Sequence, residues 1–326
     1  MNPAHLLVVA PNWIGDALMA QPLFARLRAK RPDMGIDVLA PHWVAPVLRR
    51  MPEVSEVIES SLAHGALQLR ERWRLGRSLR ARGYSQAIVL PNTWKSALLP
   101  FFADIPLRSG YTGESRYGLL NLLYRSTYCA TRGEPMSLHY ARLSEAPGSV
   151  PALPLPQPSL QSERAIAARV AAKFGVPERY TVFCPGAEYG PAKRWPYFAQ
   201  LAHMVDSAVV LLGSSADAEA CAGIAGINLA GKTTLDEAID LIAGAERVVS
   251  NDSGLMHVAA ALARPQVALF GSSSPEHTPP QSSAARVLWL KIECSPCFQR
   301  TCPLGHFRCM RDLSAERVLD ELQTLP

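Results

Sequence analysis

Short apolar runs alternate along the chain with stretches in which apolar residues return at every third or fourth position. Leu6 to Ala10, Ile36 to Ala40, Val54 to Ile58 and Ala87 to Leu90 have the length and composition of buried strands, with helical patterns between them. Such alternation predicts βαβ units and a parallel sheet. After Leu143 it breaks into a proline-rich stretch running to Pro158, which sustains neither a helix nor a central strand and reads as a linker. The alternation then resumes, with strands over Tyr180 to Cys184, Ala208 to Leu212, Arg247 to Ser250 and Gln266 to Phe270. Helices are predicted over Trp195 to Met204, Leu235 to Ala243, Gly254 to Ala263 and, last, Ser314 to Leu322. The fold class is therefore α/β, with two doubly wound domains over residues 1–150 and 151–312 and a C-terminal helix over 313–326. Ligands are expected at the carboxyl ends of the strands, in a cleft between the domains.

Composition supports this and narrows the function. A chain of 326 residues with 48% hydrophobic and 19% charged residues can bury two ordinary cores and is not disordered. No apolar run reaches the roughly 20 residues that cross a bilayer, and no basic leader precedes the first strand, so a cytoplasmic location is expected. The formal charge of +5 is too modest to imply a nucleic-acid partner, but suits an acidic substrate or an anionic membrane surface. Arg70, Arg72, Arg74, Arg77 and Arg80 recur in one helical pattern, either a solvated face or a face for an acidic ligand or membrane.

Three segments can carry chemistry. The first strand runs into Pro11-Asn12-Trp13-Ile14-Gly15-Asp16, where Gly15 permits a tight turn and Asp16 falls near a helix start. A carboxylate there can accept a proton from an acceptor hydroxyl, or simply cap the helix. After the strand ending at Cys184 comes a glycine-containing loop, Pro185 to Pro196, with Lys193 just ahead of a helix. That arrangement suits a diphosphate and equally an exposed basic loop. After the strand ending at Ser250 comes Asn251-Asp252-Ser253-Gly254-Leu255-Met256-His257, a capped helix start with Asp252 or Ser253 as the cap. Its amides and positive dipole end can face a sugar diphosphate, and His257 is either a ligand contact or a core histidine.

Two further features bear on competing readings. Gly226 to Thr233 satisfies the phosphate-binding loop pattern of nucleotide triphosphatases, but its spacer from Ile227 to Ala230 reads as a strand where that pattern needs an open loop. Cys294, Cys297, Cys302 and Cys309 lie in one segment around His306; they are either metal ligands or reduced packing cysteines, and their spacing departs from established metal patterns. No Asp-x-Asp triplet is present to hold a divalent ion on a nucleotide sugar, so the charge of a leaving diphosphate falls to Lys193 and helix termini.

Taken together, Trp13 to Asp16, Pro185 to Pro196, Asn251 to His257 and the Cys294-Ser-Pro-Cys297 pair resemble, in order along nearly the whole chain, the ADP-heptose:lipopolysaccharide heptosyltransferases. The resemblance implies a GT-B fold, two Rossmann-like domains facing a cleft with the acceptor on the first and the nucleotide sugar on the second, and a last helix that packs back on the first domain. It implies inverting transfer, without metal or other cofactor, of L-glycero-D-manno-heptose from ADP-heptose to the first heptose of heptosyl-Kdo-lipid A. That acceptor sits in the cytoplasmic leaflet of the inner membrane, which implies peripheral contact there. Carried over by motif, Asp16 is the general base and Lys193 the partner of the leaving phosphates. Gly186, Glu188, Lys232, Thr233, Asp252, Ser253, Gly254, Leu255 and His257 join Lys193 at the donor, and Asn12, Trp13 and Gly15 meet the acceptor. Another heptosyltransferase of the same family, a triphosphatase and a non-catalytic nucleotide-sugar-binding protein are the competing readings.

Overall fold

The computed structural model describes residues 5–63, 65–126 and 133–325. The chain divides into two compact units, Met1–Gln157 and Pro158–Pro326. The first holds β1 (His5–Val9), β2 (Gly35–Pro41), β3 (Glu56–Ser60), β4 (Gln86–Val89), β5 (Leu107–Tyr111) and β6 (Leu122–Tyr124). The second holds β7 (Tyr180–Cys184), β8 (Ala208–Leu211), β9 (Ile227–Asn228), β10 (Arg247–Asn251), β11 (Gln266–Phe270) and β12 (Ala285–Trp289). Among the described residues each sheet has six parallel strands, in the orders β3-β2-β1-β4-β5-β6 and β12-β11-β10-β7-β8-β9. Both are Rossmann-like: the winding direction reverses between β1 and β4, and again between β7 and β10. At such a reversal the connections leave the sheet in opposite directions and open a crevice outside the strand ends.

The strands that flank the reversals are apolar on both faces, because helices cover both. Leu7, Val9, Ala87 and Val89 belong to the core of the first unit. Phe183, Leu211, Val249 and Leu269 belong to that of the second. These are the runs most legible in the sequence.

Several expectations shift. Strand β3 starts two residues later than its apolar run, because the Val54 amide closes a turn onto the Met51 carbonyl (3.2 Å). The helix expected from Trp195 begins instead at Phe198, since the Trp195 amide donates to Asn251 Oδ1 (3.1 Å). The unit boundary lies beyond residue 150, inside the proline-rich stretch. The start of that stretch stays with the first unit because Arg26 and Lys30 pair with Glu145 (2.5 and 2.7 Å). The last helix, Ala315–Gln323, belongs to the second unit, where Val318 and Leu322 enter the core beside Trp195 and Leu313.

In the first unit the turn after β4 is held by a fully buried guanidinium. Arg116 donates from Nη1 to the Pro91 carbonyl (2.6 Å) and from Nη2 to the Tyr111 carbonyl, with Asn92 Oδ1 further off (3.4 Å). Burial lowers its pKa to about 10, so a charge is retained in the core by dipoles of the backbone. Truncation strands those carbonyls and opens a cavity. Arg116→Ala is expected to lower unfolding free energy by about 2–4 kcal/mol, read from the urea midpoint of the first unit.

Candidate active site

The second unit assembles its site at the reversal between β7 and β10. Asn251, fully buried at the end of β10, accepts from the Trp195 amide and donates from Nδ2 to the Pro185 carbonyl (2.7 Å). One amide side chain thus clamps both ends of the loop after β7. The indole of Trp195 anchors the far end, donating to the Leu313 carbonyl (2.8 Å). Between the clamps, Gly190 sits at φ 146°, where a Cβ would meet the Arg300 carbonyl oxygen at 2.4 Å. The loop then closes with the 3-10 turn Pro191–Lys193.

That geometry delivers Lys193 to the neighbouring strand end. Its Nζ lies 2.5 Å from Asp252 Oδ2 and 4.9 Å from the centre of the Tyr189 ring. Both members of the pair are largely buried, so the attraction acts in a low dielectric and fixes the ammonium in place. The next residue, Ser253, is the N-cap of the helix Gly254–Ala261, yet its side chain makes no capping bond. First-turn amides at Gly254 and Leu255, only half-buried, remain for an anion. His257 is buried in the same helix. Burial, opposed by Asp252 and reinforced by Lys193, lowers its pKa to about 4, so the imidazole stays neutral.

In the first unit Asp16 follows β1, also at a reversal. The N-cap of its helix, Ile14–Met19, is Trp13, so Asp16 lies inside the first turn instead of capping it. The preceding loop is pinned by Trp43 Nε1, which donates to the Asn12 carbonyl (2.8 Å), and leaves Trp13 exposed. Asp16 is half-buried and close enough to Tyr140 to act on it: burial first, and the Asp16 charge second, push that phenol well above its ordinary value.

The glycosyltransferase family 9 (heptosyltransferase) pattern matches residues 72–308, which include Lys193, Asp252, Cys294, Cys297 and Cys302. The chain is 45% identical to lipopolysaccharide heptosyltransferase 2 of Salmonella typhimurium and to that of Escherichia coli, over 98% of this chain and of each relative. It belongs to glycosyltransferase family 9. The solved structure of E. coli ADP-heptose lps heptosyltransferase II superposes with a TM-score of 0.86 at 42% identity, covering 98% of this chain and 97% of that one. E. coli heptosyltransferase WaaC with ADP shares the fold, with a TM-score of 0.68 at 20% identity over 98% and 99% of the chains. The chain is thus a glycosyltransferase of GT-B architecture.

Within this family 9 chain, the residues picked out by sequence do not all converge. Lys193, Asp252, Ser253, Gly254, Leu255 and His257 meet at one strand reversal. Gly186 lies in the same loop, but its missing side chain makes room for Asp217, whose Oδ1 would stand 2.2 Å from a Cβ. Glu188 is exposed. Lys232 and Thr233 follow β9, at the sheet edge two strands from the reversal, and Lys232 Nζ donates to the Asn228 carbonyl (2.9 Å). Strand β9 occupies the middle of the triphosphatase-like string, and the next helix starts only at Leu235, capped reciprocally by Thr234 and Glu237. A backbone cradle for triphosphate therefore does not form there.

Cys294, Cys297, Cys302, His306 and Cys309 line one small cavity. Among the described residues no three His, Cys, Asp or Glu side chains are placed to hold a metal ion. The segment braces the loop after β7. Tyr189 donates its hydroxyl proton to the Phe298 carbonyl (2.6 Å), and the Ala192 amide donates to that of Arg300 (3.0 Å).

Sequence reasoning missed Asn251 as the clamp, Tyr189 under the ammonium, and Thr278, whose hydroxyl donates to Asp252 Oδ1 (3.4 Å). Only Thr278 had a usable signal, the polar Gly271-to-Thr278 loop directly after β11.

The neutral His257 carries a pH consequence. Its folded pKa of about 4 lies below the ordinary 6.5, so between these values the unfolded state binds a proton that the folded state refuses. Stability is complete above about 6.5 and declines as pH falls towards 4. His257→Gln is expected to flatten that decline, as read from urea midpoints of the second unit across the same range.

Proposed function

We propose that the chain transfers L-glycero-D-manno-heptose from ADP-heptose to the first heptose of heptosyl-Kdo-lipid A, with inversion at the anomeric carbon. The carrying observation is the Lys193–Asp252 pair beside open helix amides at the strand reversal, in a chain 45% identical along its length to lipopolysaccharide heptosyltransferase 2. The solved relative, E. coli ADP-heptose lps heptosyltransferase II, supports this donor.

In this reading an acceptor hydroxyl attacks the anomeric carbon as the bond to the ADP oxygen breaks, its electron pair leaving on the β-phosphate. Lys193 and the amides of Gly254 and Leu255 meet the charge that develops there. Asp252 orients the ammonium and, with Ser253, faces the donor sugar; Gly186, Glu188, Lys232 and Thr233 serve the rest of the donor. Neutral His257 supports the helix start from behind. Asp16 takes the hydroxyl proton. Its place in a helix first turn makes it a weak base, so the proton moves late, once the sugar has oxocarbenium character. Asn12, Trp13 and Gly15 shape the acceptor side. With a lipid-anchored acceptor, the enzyme works against the cytoplasmic leaflet of the inner membrane.

The test is transfer itself, with purified protein, ADP-heptose and heptosyl-Kdo-lipid A, followed by product mass. A gain of one heptose is expected, and Asp16→Asn should lower kcat by about 100- to 10,000-fold. Lys193→Ala should raise the donor KM and lower kcat/KM by about 100-fold. No mass gain, with phosphate released from ATP alone, would replace this reading with a triphosphatase.

A further inference from the structure

Helix Leu69–Leu79 of the first unit is inside out at its amino-terminal half. Its Arg72 is only 8% exposed, whereas Leu69 is 50% and Trp73 52% exposed. Each nitrogen of the buried guanidinium donates a hydrogen bond. It donates from Nε to the Leu67 carbonyl (2.6 Å), from Nη2 to that of Ala66 (3.2 Å) and from Nη1 to that of Lys95 (3.3 Å). Lys95 Nζ in turn donates to the Gly65 carbonyl (2.5 Å). The segment before the helix is thereby tied to the start of the next helix, Trp94–Phe102, with Leu67 and Trp94 also facing outward (42% and 39% exposed). With Arg72 in the interior position, Leu69 and Trp73 have no route inward. Their exposure is imposed by the hydrogen bonds beneath them.

Charge follows the same face. At 100° per residue, Leu69, Trp73, Arg77, Arg70 and Arg74 fall within an arc of roughly 140°, and Glu71 lies outside it. Arg77 is paired with Asp104 (3.3 Å), as is the following Arg80 (2.9 Å). Among the described residues no acidic side chain pairs with Arg70 or Arg74. Glu114 accepts from the Trp94 amide (3.2 Å). An apolar centre of two indoles and two leucines flanked by unpaired arginines matches an anionic bilayer, where indoles settle at the headgroup level and arginines meet phosphate. Both helices start at the carboxyl edge of the first sheet, the edge that also carries Asp16.

We propose that Leu67, Leu69, Trp73 and Trp94, with Arg70 and Arg74, form the face by which the first unit docks on an anionic lipid bilayer. This rests on the proposed lipid-anchored acceptor for its purpose, though not for its test. Full-length protein is sedimented with vesicles of phosphatidylcholine alone or mixed with phosphatidylglycerol, neither containing acceptor. Binding is expected only to the mixed vesicles and should fall with added salt. Arg70→Ala with Arg74→Ala should weaken it about 25-fold, near fivefold for each arginine. Leu69→Ser with Trp73→Ser should abolish the remainder seen at high salt. Both double variants should keep wild-type transfer to a deacylated, soluble acceptor, which also shows that they fold. Wild-type protein left in the supernatant with mixed vesicles would overturn the proposal, as would variants that bind like wild type. Failed transfer to the soluble acceptor by wild-type protein would strike the proposed reaction alone.

Discussion

Parallel winding is the constraint on which the rest of this structure depends. With every strand of a sheet pointing the same way, all the loops that follow strands gather at one edge, and the reversal of winding opens a crevice there. The second unit uses that crevice through a single buried amide. Asn251 satisfies the Trp195 amide and the Pro185 carbonyl together, so a twelve-residue span from Pro185 to Pro196 is held to the end of β10. Lys193 meets Asp252 because of that tie and has no independent means of reaching it.

The polar interior is arranged on the same logic in both units. Among the described residues Arg116 and Arg72 are buried without carboxylate partners in hydrogen-bonding range and answer backbone carbonyls, each fastening a loop at the carboxyl edge of the first sheet. Asn251 does this in the second. Buried polar groups held by backbone dipoles give rigid loops without a carboxylate partner of their own. The cysteine segment extends the support from outside, through the Phe298 and Arg300 carbonyls beneath Tyr189 and Ala192.

His257 shows how burial decides the state of a residue whose type leaves its role open. Its motif places it beside the Lys193–Asp252 pair, and an exposed imidazole there would titrate near neutrality. Packed in the helix Gly254–Ala261, with burial outweighing the pull of Asp252, it is a neutral group behind the amides. Asp16 moved the other way. Trp13 takes the capping position, which frees the carboxylate from the structural task that its spacing allowed.

The sequence by itself determined the two-unit α/β architecture, because strands flanking each reversal are buried on both faces and must be continuously apolar. It also determined the order of the loops bearing Asp16, Lys193 and Asp252, since each directly follows such a strand. Strands β5, β6 and β12 were not legible: they lie towards sheet edges, where half-exposed positions admit residues such as Arg108 and Arg286. Nor was the fate of the last helix, whose apolar stripe fits any apolar surface until Trp195 and Leu313 supply one. Tertiary structure alone decided that Lys193 pairs with Asp252, that Lys232 stays at a distant sheet edge, and that Arg72 goes inward while Trp73 stays out. Each of those outcomes turns on a hydrogen bond between residues far apart in the chain or on which side of a helix meets the core, and neither is written in local spacing.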